Sequence, residues 1–182
     1  MSTESDLHVA LLRGVNVGGK NRLAMKDLAR VCEGLGCRDV RTYLQSGNVV
    51  YRAPPELAGG MQTRLRAAMA ADLGLDVPVV TRDALGLRAA VEASPFIARG
   101  LDPATVHVMF LAELPEAPLV AALDRDRSPG DAFEVHAADV HLHLPNGVAR
   151  SKLTNAWFDA RLRTVSTVRN WNTVTALAAM VS

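Results

Sequence analysis

Cysteine, aromatic residues, lysine and long apolar runs are all scarce in this chain, and each scarcity excludes something. The two cysteines, Cys32 and Cys37, form neither a metal-spaced nor a redox pair, so they read as reduced thiols and not as part of a disulfide framework. Aromatic residues make up 4% of the sequence, too few for a sheet that stacks single-stranded RNA on exposed rings. No stretch approaches the roughly 20 apolar residues of a membrane span. Residues 1–6 are polar and acidic, without the basic start and apolar centre of a signal peptide. A cytoplasmic, soluble protein with no membrane partner is expected. Neither sign of charge is in excess: 20 Lys+Arg against 19 Asp+Glu leave +1, so recognition of an anion has to come from local clustering. Among those cations the lysines are Lys20, Lys26 and Lys152.

What is there is a chain of 182 residues, 49% hydrophobic, long enough for one sizeable domain or two small ones. The apolar run 7–12 predicts a strand, and Met25, Leu28, Ala29, Cys32 and Leu35 then follow helical spacing until Gly36. Segments 40–44 and 49–51 flank Gln45-Ser46-Gly47-Asn48 and predict a hairpin. A helix opening at Pro54-Pro55 carries the stripe Leu57, Met61, Leu65, Ala68 and Met69. Strand 77–81 contains Pro78 and is expected at a sheet edge. A short helix over 83–92 ends at Ser94-Pro95, and residues 96–104, with Gly100 and Pro103, are the expected linker.

After it the pattern begins again: a strand at 105–111, a short helix at 117–123, hairpin strands at 133–136 and 140–144, a helix carrying Leu153, Ala156, Trp157 and Ala160, a strand at 164–169 and a last helix with Val174, Leu177, Ala178 and Val181. The order β-α-β-β-α-β thus occurs twice. The expected fold class is α+β, two tandem ferredoxin-like (split βαβ) units with mainly antiparallel sheets, spanning residues 1–95 and 105–182.

Polar chemistry concentrates in a few places. Between the first strand and the first helix, Arg13, Asn16, Lys20, Asn21 and Arg22 stand among Gly14, Gly18 and Gly19. Such a loop can turn backbone N–H groups and the positive end of a helix dipole towards an anion. Residues 14–20 read G-x-x-x-x-G-K, yet Asn21 follows where a phosphate-binding P-loop needs Ser or Thr for magnesium, and the expected antiparallel sheet is not the parallel one of such NTPases.

Three blocks carry a family resemblance: Leu11-Leu12-Arg13-Gly14-Val15-Asn16-Val17-Gly18-Gly19, then Thr42-Tyr43-Leu44-Gln45-Ser46-Gly47-Asn48, and finally Ser151-Lys152-Leu153 with Thr167-Val168-Arg169-Asn170-Trp171-Asn172-Thr173. In these the chain resembles domain of unknown function family 1697 over nearly its whole length. The resemblance implies a bacterial protein of alternating β and α elements without an established activity. Asn172 stands where similar proteins carry a second basic residue.

In a split-βαβ sheet the end of the first strand and the hairpin between the second and third emerge together, so Arg13, Asn16 and Lys20 are expected to face Ser46, Gly47 and Asn48. By the same reasoning Ser151 and Lys152 are expected to face Arg169 and Asn170. Ser151 and Asn170 read as helix N-caps. Lys152, placed at a helix start where a cation opposes the dipole, calls for a nearby anion. If the two clusters meet, Arg13, Lys20, Lys152 and Arg169 line one cleft.

The expected function is binding of a phosphate-bearing small molecule or a nucleic-acid group. Phosphoryl or acyl transfer in the same cationic cleft is the alternative, and a purely structural role for the motifs, with function in protein interaction, the second. Carboxylates are absent from every block, so no general base is identified, and whether the protein is an enzyme stays open. Ser46 lacks the context of a nucleophile, and no histidine falls in the blocks. His136, His141 and His143 lack a cysteine or spaced carboxylate beyond Glu134 and are read as solvent-facing, so neither metal nor cofactor is expected. Trp157 and Trp171 are read as core. Exposed edge strands leave the oligomeric state open.

Overall fold

The computed structural model describes residues 7–182, so the signal-peptide reading of residues 1–6 lies outside the described residues. The chain is α+β and carries two four-stranded antiparallel sheets. It divides into two units, one taking the chain up to Arg88 together with Leu177–Ser182, the other Ala89–Ala176. Among the described residues no helix is long and apolar enough to cross a membrane.

The first unit runs β1 (Leu7–Leu12), α1 (Met25–Gly34), β2 (Arg38–Tyr43), β3 (Asn48–Arg52), α2 (Pro55–Ala58), α3 (Met61–Leu73), β4 (Val79–Asp83) and into α4 (Ala84–Glu92). Its sheet has the order β2-β3-β1-β4. β1 is central, and Val9, Ala10, Leu11 and Leu12 are fully buried, which explains why this strand reads as an unbroken apolar run instead of an alternating one. On one face Ala10, Leu12, Val49 and Tyr51 meet Leu28 and Cys32 of α1 and Met61, Leu65 and Met69 of α3. Both cysteines are free thiols inside this core, where burial pushes Cys37 up to about 11 and Cys32 up to about 12.

Two expectations shift here. The helix opening at Pro55 is interrupted at Gly59-Gly60 into α2 and α3, because glycine is a poor interior helix residue and the short first piece closes on itself through Gly60 N–H to Leu57 O at 3.2 Å. β4 begins one residue after Pro78 and forms a sheet edge. The Pro78 carbonyl accepts from Arg13 N–H at 2.9 Å.

The second unit contains α5 (Pro95–Ala98), β5 (Val106–Leu111), α6 (Ala117–Ala121), β6 (Ala132–His136), β7 (Asp139–His143), α7 (Asn155–Leu162), β8 (Ser166–Asn170) and most of α8 (Trp171–Met180). Its sheet repeats the strand order of the first, β6-β7-β5-β8. The segment 96–104 holds most of α5 and the start of a 3-10 turn at Pro103–Thr105. Met109, Leu111, Val140 and Leu142 face Phe158 and Leu162 of α7, with Phe133 edge-on to Phe158 at 5.3 Å. Trp157 is half-buried against this core, and Trp171 is buried.

The histidine expectation is overturned in part, because His141 is fully buried. β7 lies inside the sheet, so His141 is flanked by Glu134 of β6 and Val108 of β5. On the same face Phe96 of α5 covers the neighbouring His143 at 5.7 Å. Neither ring nitrogen of His141 has a hydrogen-bond partner among the described residues, and its ring lies edge-on to His136 at 5.4 Å. Burial first, then the neighbouring His136, pushes His141 down to about 4.

Candidate functional site

The glycine loop of the first unit is a braced turn. Val17 and Lys20 form an isolated antiparallel bridge, with Lys20 N–H donating to Val17 O at 3.0 Å, and the two residues between them, Gly18 and Gly19, have φ of 58° and 74°. Positive φ at both central positions is what a two-residue hairpin turn of the I′ kind demands, hence the glycine pair. Lys20 therefore stands at the base of a tight turn, while α1 starts five residues later. Its N-cap, Ala24, supplies no side-chain cap, so the polar groups of the loop do other work.

That work is done chiefly by Asn16. Its Nδ2 donates to Leu23 O at 2.8 Å and to Gln45 O at 2.6 Å, and its Oδ1 accepts from Leu23 N–H at 2.9 Å. One amide thus ties both ends of the loop together and fastens them to the β2/β3 hairpin. Asn21 Nδ2 adds a bond to Gly14 O at 3.0 Å. On the hairpin side Asn48 is fully buried and its Nδ2 donates to Tyr43 O and Ser46 Oγ, each at 2.9 Å. A Cβ at Gly47 would lie 2.7 Å from Val15 Cγ2 and 2.8 Å from Leu12 Cβ, so the hairpin approaches the loop as closely as backbone allows. Leu12 N–H donates to Gly47 O at 2.8 Å.

The structure thus brings the loop of Arg13, Gly14, Asn16, Gly18, Gly19 and Lys20 against Ser46, Gly47 and Asn48. It also divides them by task. Asn16, Gly47 and Asn48 are consumed by the brace, and Arg13 is half-buried. Gly18, Gly19, Lys20, Arg22 and Ser46 are exposed. Among the described residues Lys20 and Arg22 make no ion pair. From Arg13 to Lys26 the chain carries four cations and no carboxylate, and the stretch 40–51 adds Arg41 and again no carboxylate. Arg41 is engaged, its Nη2 donating to Met180 O at 2.9 Å.

The cluster expected in the second unit is arranged differently. Ser151 does not cap a helix: its Oγ accepts from Leu153 N–H at 3.0 Å, and the N-cap of α7 is Thr154, whose Oγ1 accepts from Trp157 N–H at 3.2 Å. Lys152 consequently lies three residues ahead of the helix, outside its first turn, and the dipole conflict that called for an anion disappears. Asn170 does cap, its Oδ1 accepting from Thr173 N–H at 2.9 Å. Arg169 is buried, with Nη1 donating to Thr167 Oγ1 at 2.8 Å and Val168 O at 2.9 Å, and burial pushes it down to about 10.

Lys152 N–H is fastened to Ser128 Oγ at 3.1 Å, in the loop leading to β6. Arg169 belongs to β8, the edge strand opposite β6 in the order β6-β7-β5-β8. The sequence reading missed Val17 and Leu44, which are exposed apolar residues beside the Asn16–Gln45 bond. Their exposure is not signalled by residue type.

A family model described as Protein of unknown function (DUF1697) matches residues 6–141, which takes in the glycine loop and the β2/β3 hairpin and leaves out Lys152 and Arg169. No curated protein matches the chain. Among solved structures, the conserved bacterial protein SP0830 from Streptococcus pneumoniae is similar with a TM-score of 0.73 at 19% identity, over 97% of this chain and 98% of that one. At that identity the likeness speaks for the fold.

Proposed function

This chain belongs to the family of unknown function DUF1697, and from that premise we propose that its first unit binds a phosphate-bearing small molecule at the Lys20 turn. The observation that carries this reading is the division of labour in the loop. Asn16 braces an exposed turn that holds up none of the core itself, and the groups at its end, Lys20, Arg22 and the N–H-bearing Gly18 and Gly19, are cationic or sterically open. Positive charge on a braced turn, in a stretch 13–26 that carries no carboxylate, is complementary to phosphate oxygens. Net charge supplies no such preference, so the clustering is local by design of the sequence.

Binding is placed ahead of transfer chemistry because a general base is missing from the loop and hairpin. The first carboxylate after the loop, Asp27, is tied to Arg30. The finer fold reading, two ferredoxin-like units, is supported by the shared β-α-β-β-α-β connectivity and the shared strand order. A cytoplasmic setting is supported by the buried free thiols.

Calorimetric titration with ribose 5-phosphate and with ribose tests the site. Wild-type protein is expected to bind the phosphate ester and not the free sugar, and Lys20→Ala to weaken that binding about tenfold, the loss of one charge-assisted contact. Equal affinity in wild type and Lys20→Ala sinks the assignment.

A further inference from the structure

Five large hydrophobic residues are exposed among the described residues, and two of them, Val17 at 64% and Leu44 at 53%, are the chain neighbours of the two groups joined by the Asn16 Nδ2 to Gln45 O bond. An apolar pair is therefore held beside the cationic turn by the same bond that braces it. Leu44 is also the first residue of the hairpin turn and has φ of 57°. A bulky side chain is rarely found in the left-handed region, where Asn or Gly fits without strain. Neither hairpin closure nor the core explains a leucine there: it is outside the core, and the residues that close the turn are Gly47 and Asn48.

A phosphate ion would gain nothing from apolar neighbours. A ligand that carries an apolar ring a few bonds from its phosphate would gain from both. We propose that the molecule bound at the Lys20 turn is a mononucleotide, its phosphate at Lys20 and the Gly18-Gly19 turn and its base against Val17 and Leu44. This rests on the phosphate reading above and narrows it to a substrate class. Charge and shape fit one another: cations at the turn, aliphatic surface next to them, and no carboxylate in either segment to repel the phosphate. A base lying on Leu44 has its faces covered by aliphatic carbon, so discrimination among bases at this spot is weak and the preference is for having a base at all.

Titration of AMP, ribose 5-phosphate and anionic phosphatidylserine vesicles against wild type, Lys20→Ala, Leu44→Asn and Val17→Thr tests it, with a thermal melt of each variant as a check on folding. AMP is expected to bind about tenfold tighter than ribose 5-phosphate, the effect of covering roughly 55 Å² of apolar surface. Leu44→Asn and Val17→Thr are each expected to bring AMP towards the level of ribose 5-phosphate, and Lys20→Ala to weaken both ligands alike. Equal binding of AMP and ribose 5-phosphate in wild type, with both weakened by Lys20→Ala, overturns the nucleotide assignment and leaves the phosphate site standing. Indifference of both ligands to Lys20→Ala overturns the phosphate site and this proposal with it. Binding of the vesicles in preference to AMP assigns the apolar pair to a lipid surface and overturns the nucleotide.

Discussion

Asn16 and Gln45 lie 29 positions apart and are joined by a 2.6 Å bond from the Asn16 side-chain amide to the Gln45 carbonyl, which locks the loop after β1 to the tip of the β2/β3 hairpin. The same amide holds Leu23 through two further bonds, so one side chain fixes three backbone segments.

Replacing Asn16 by Gly keeps the positive φ of 55° accessible and removes only the side chain. With three hydrogen bonds lost, and two carbonyls left to find water, the first unit is expected to lose about 2 kcal/mol. Urea denaturation checks this, and a change below about 0.5 kcal/mol would show that the brace is ornamental.

Glycines in this region differ sharply in what they tolerate. At Gly47 a Cβ collides with Val15 and with the Cβ of Leu12, and φ is 79°, so Gly47→Ala is expected to cost about 3 kcal/mol or more. At Gly18 nothing lies within 4 Å, so Gly18→Ala carries the left-handed strain alone, about 1–2 kcal/mol. Thermal melts of the two variants should rank in that order, and the reverse ranking would contradict the close approach of hairpin and loop.

Leu44 makes a prediction of opposite sign. Leu44→Asn places a residue that accepts φ of 57° at an exposed position, and stability is expected to rise by about 0.5 kcal/mol. A gain in stability combined with a loss of nucleotide affinity separates a binding role from a folding role. A fall in the melting temperature would instead make Leu44 part of the fold.

His141 gives the protein an acid-side weakness. Its folded pKa is held at about 4 by burial, below the usual 6.5, so the unfolded chain binds the extra proton first as pH falls. The stabilisation is complete above pH 6.5 and is lost progressively between 6.5 and 4, for a total of about 3 kcal/mol. His107, lowered by burial as well, acts in the same direction. Stability measured from pH 7.5 to 4.5 is expected to fall in wild type and to fall less steeply in His141→Phe; identical slopes would assign the pH dependence to other groups.

Secondary structure was legible wherever local spacing decides it. The stripe through Leu28 and Cys32, the hairpin around Gly47 and Asn48, and the edge position of β4 next to Pro78 all follow from residues close in the chain. Errors arose where the deciding neighbour is remote. Ser151 looks like a cap by residue type, yet Thr154 holds that place, because the preceding segment is pinned instead by Ser128, 24 positions away. His141 looks like a surface histidine by its alternating polar setting, yet the sheet order puts β5 and β6 on either side of it.

By itself the sequence determined the elements, their antiparallel pairing by short turns, and the position of the glycine loop beside the hairpin, because apolar period, turn residues and capping chemistry act over a few residues. Tertiary structure alone decided which polar residues are used up and which are left over. Asn16, Asn48, Ser151 and Arg169 carry donors or acceptors as plainly as Lys20 does, but their partners include backbone and hydroxyl groups that folding brings within reach or removes from water. The side chains of Lys20 and Arg22 have none such among the described residues, and that leftover charge, beside a braced turn, is what a ligand can use.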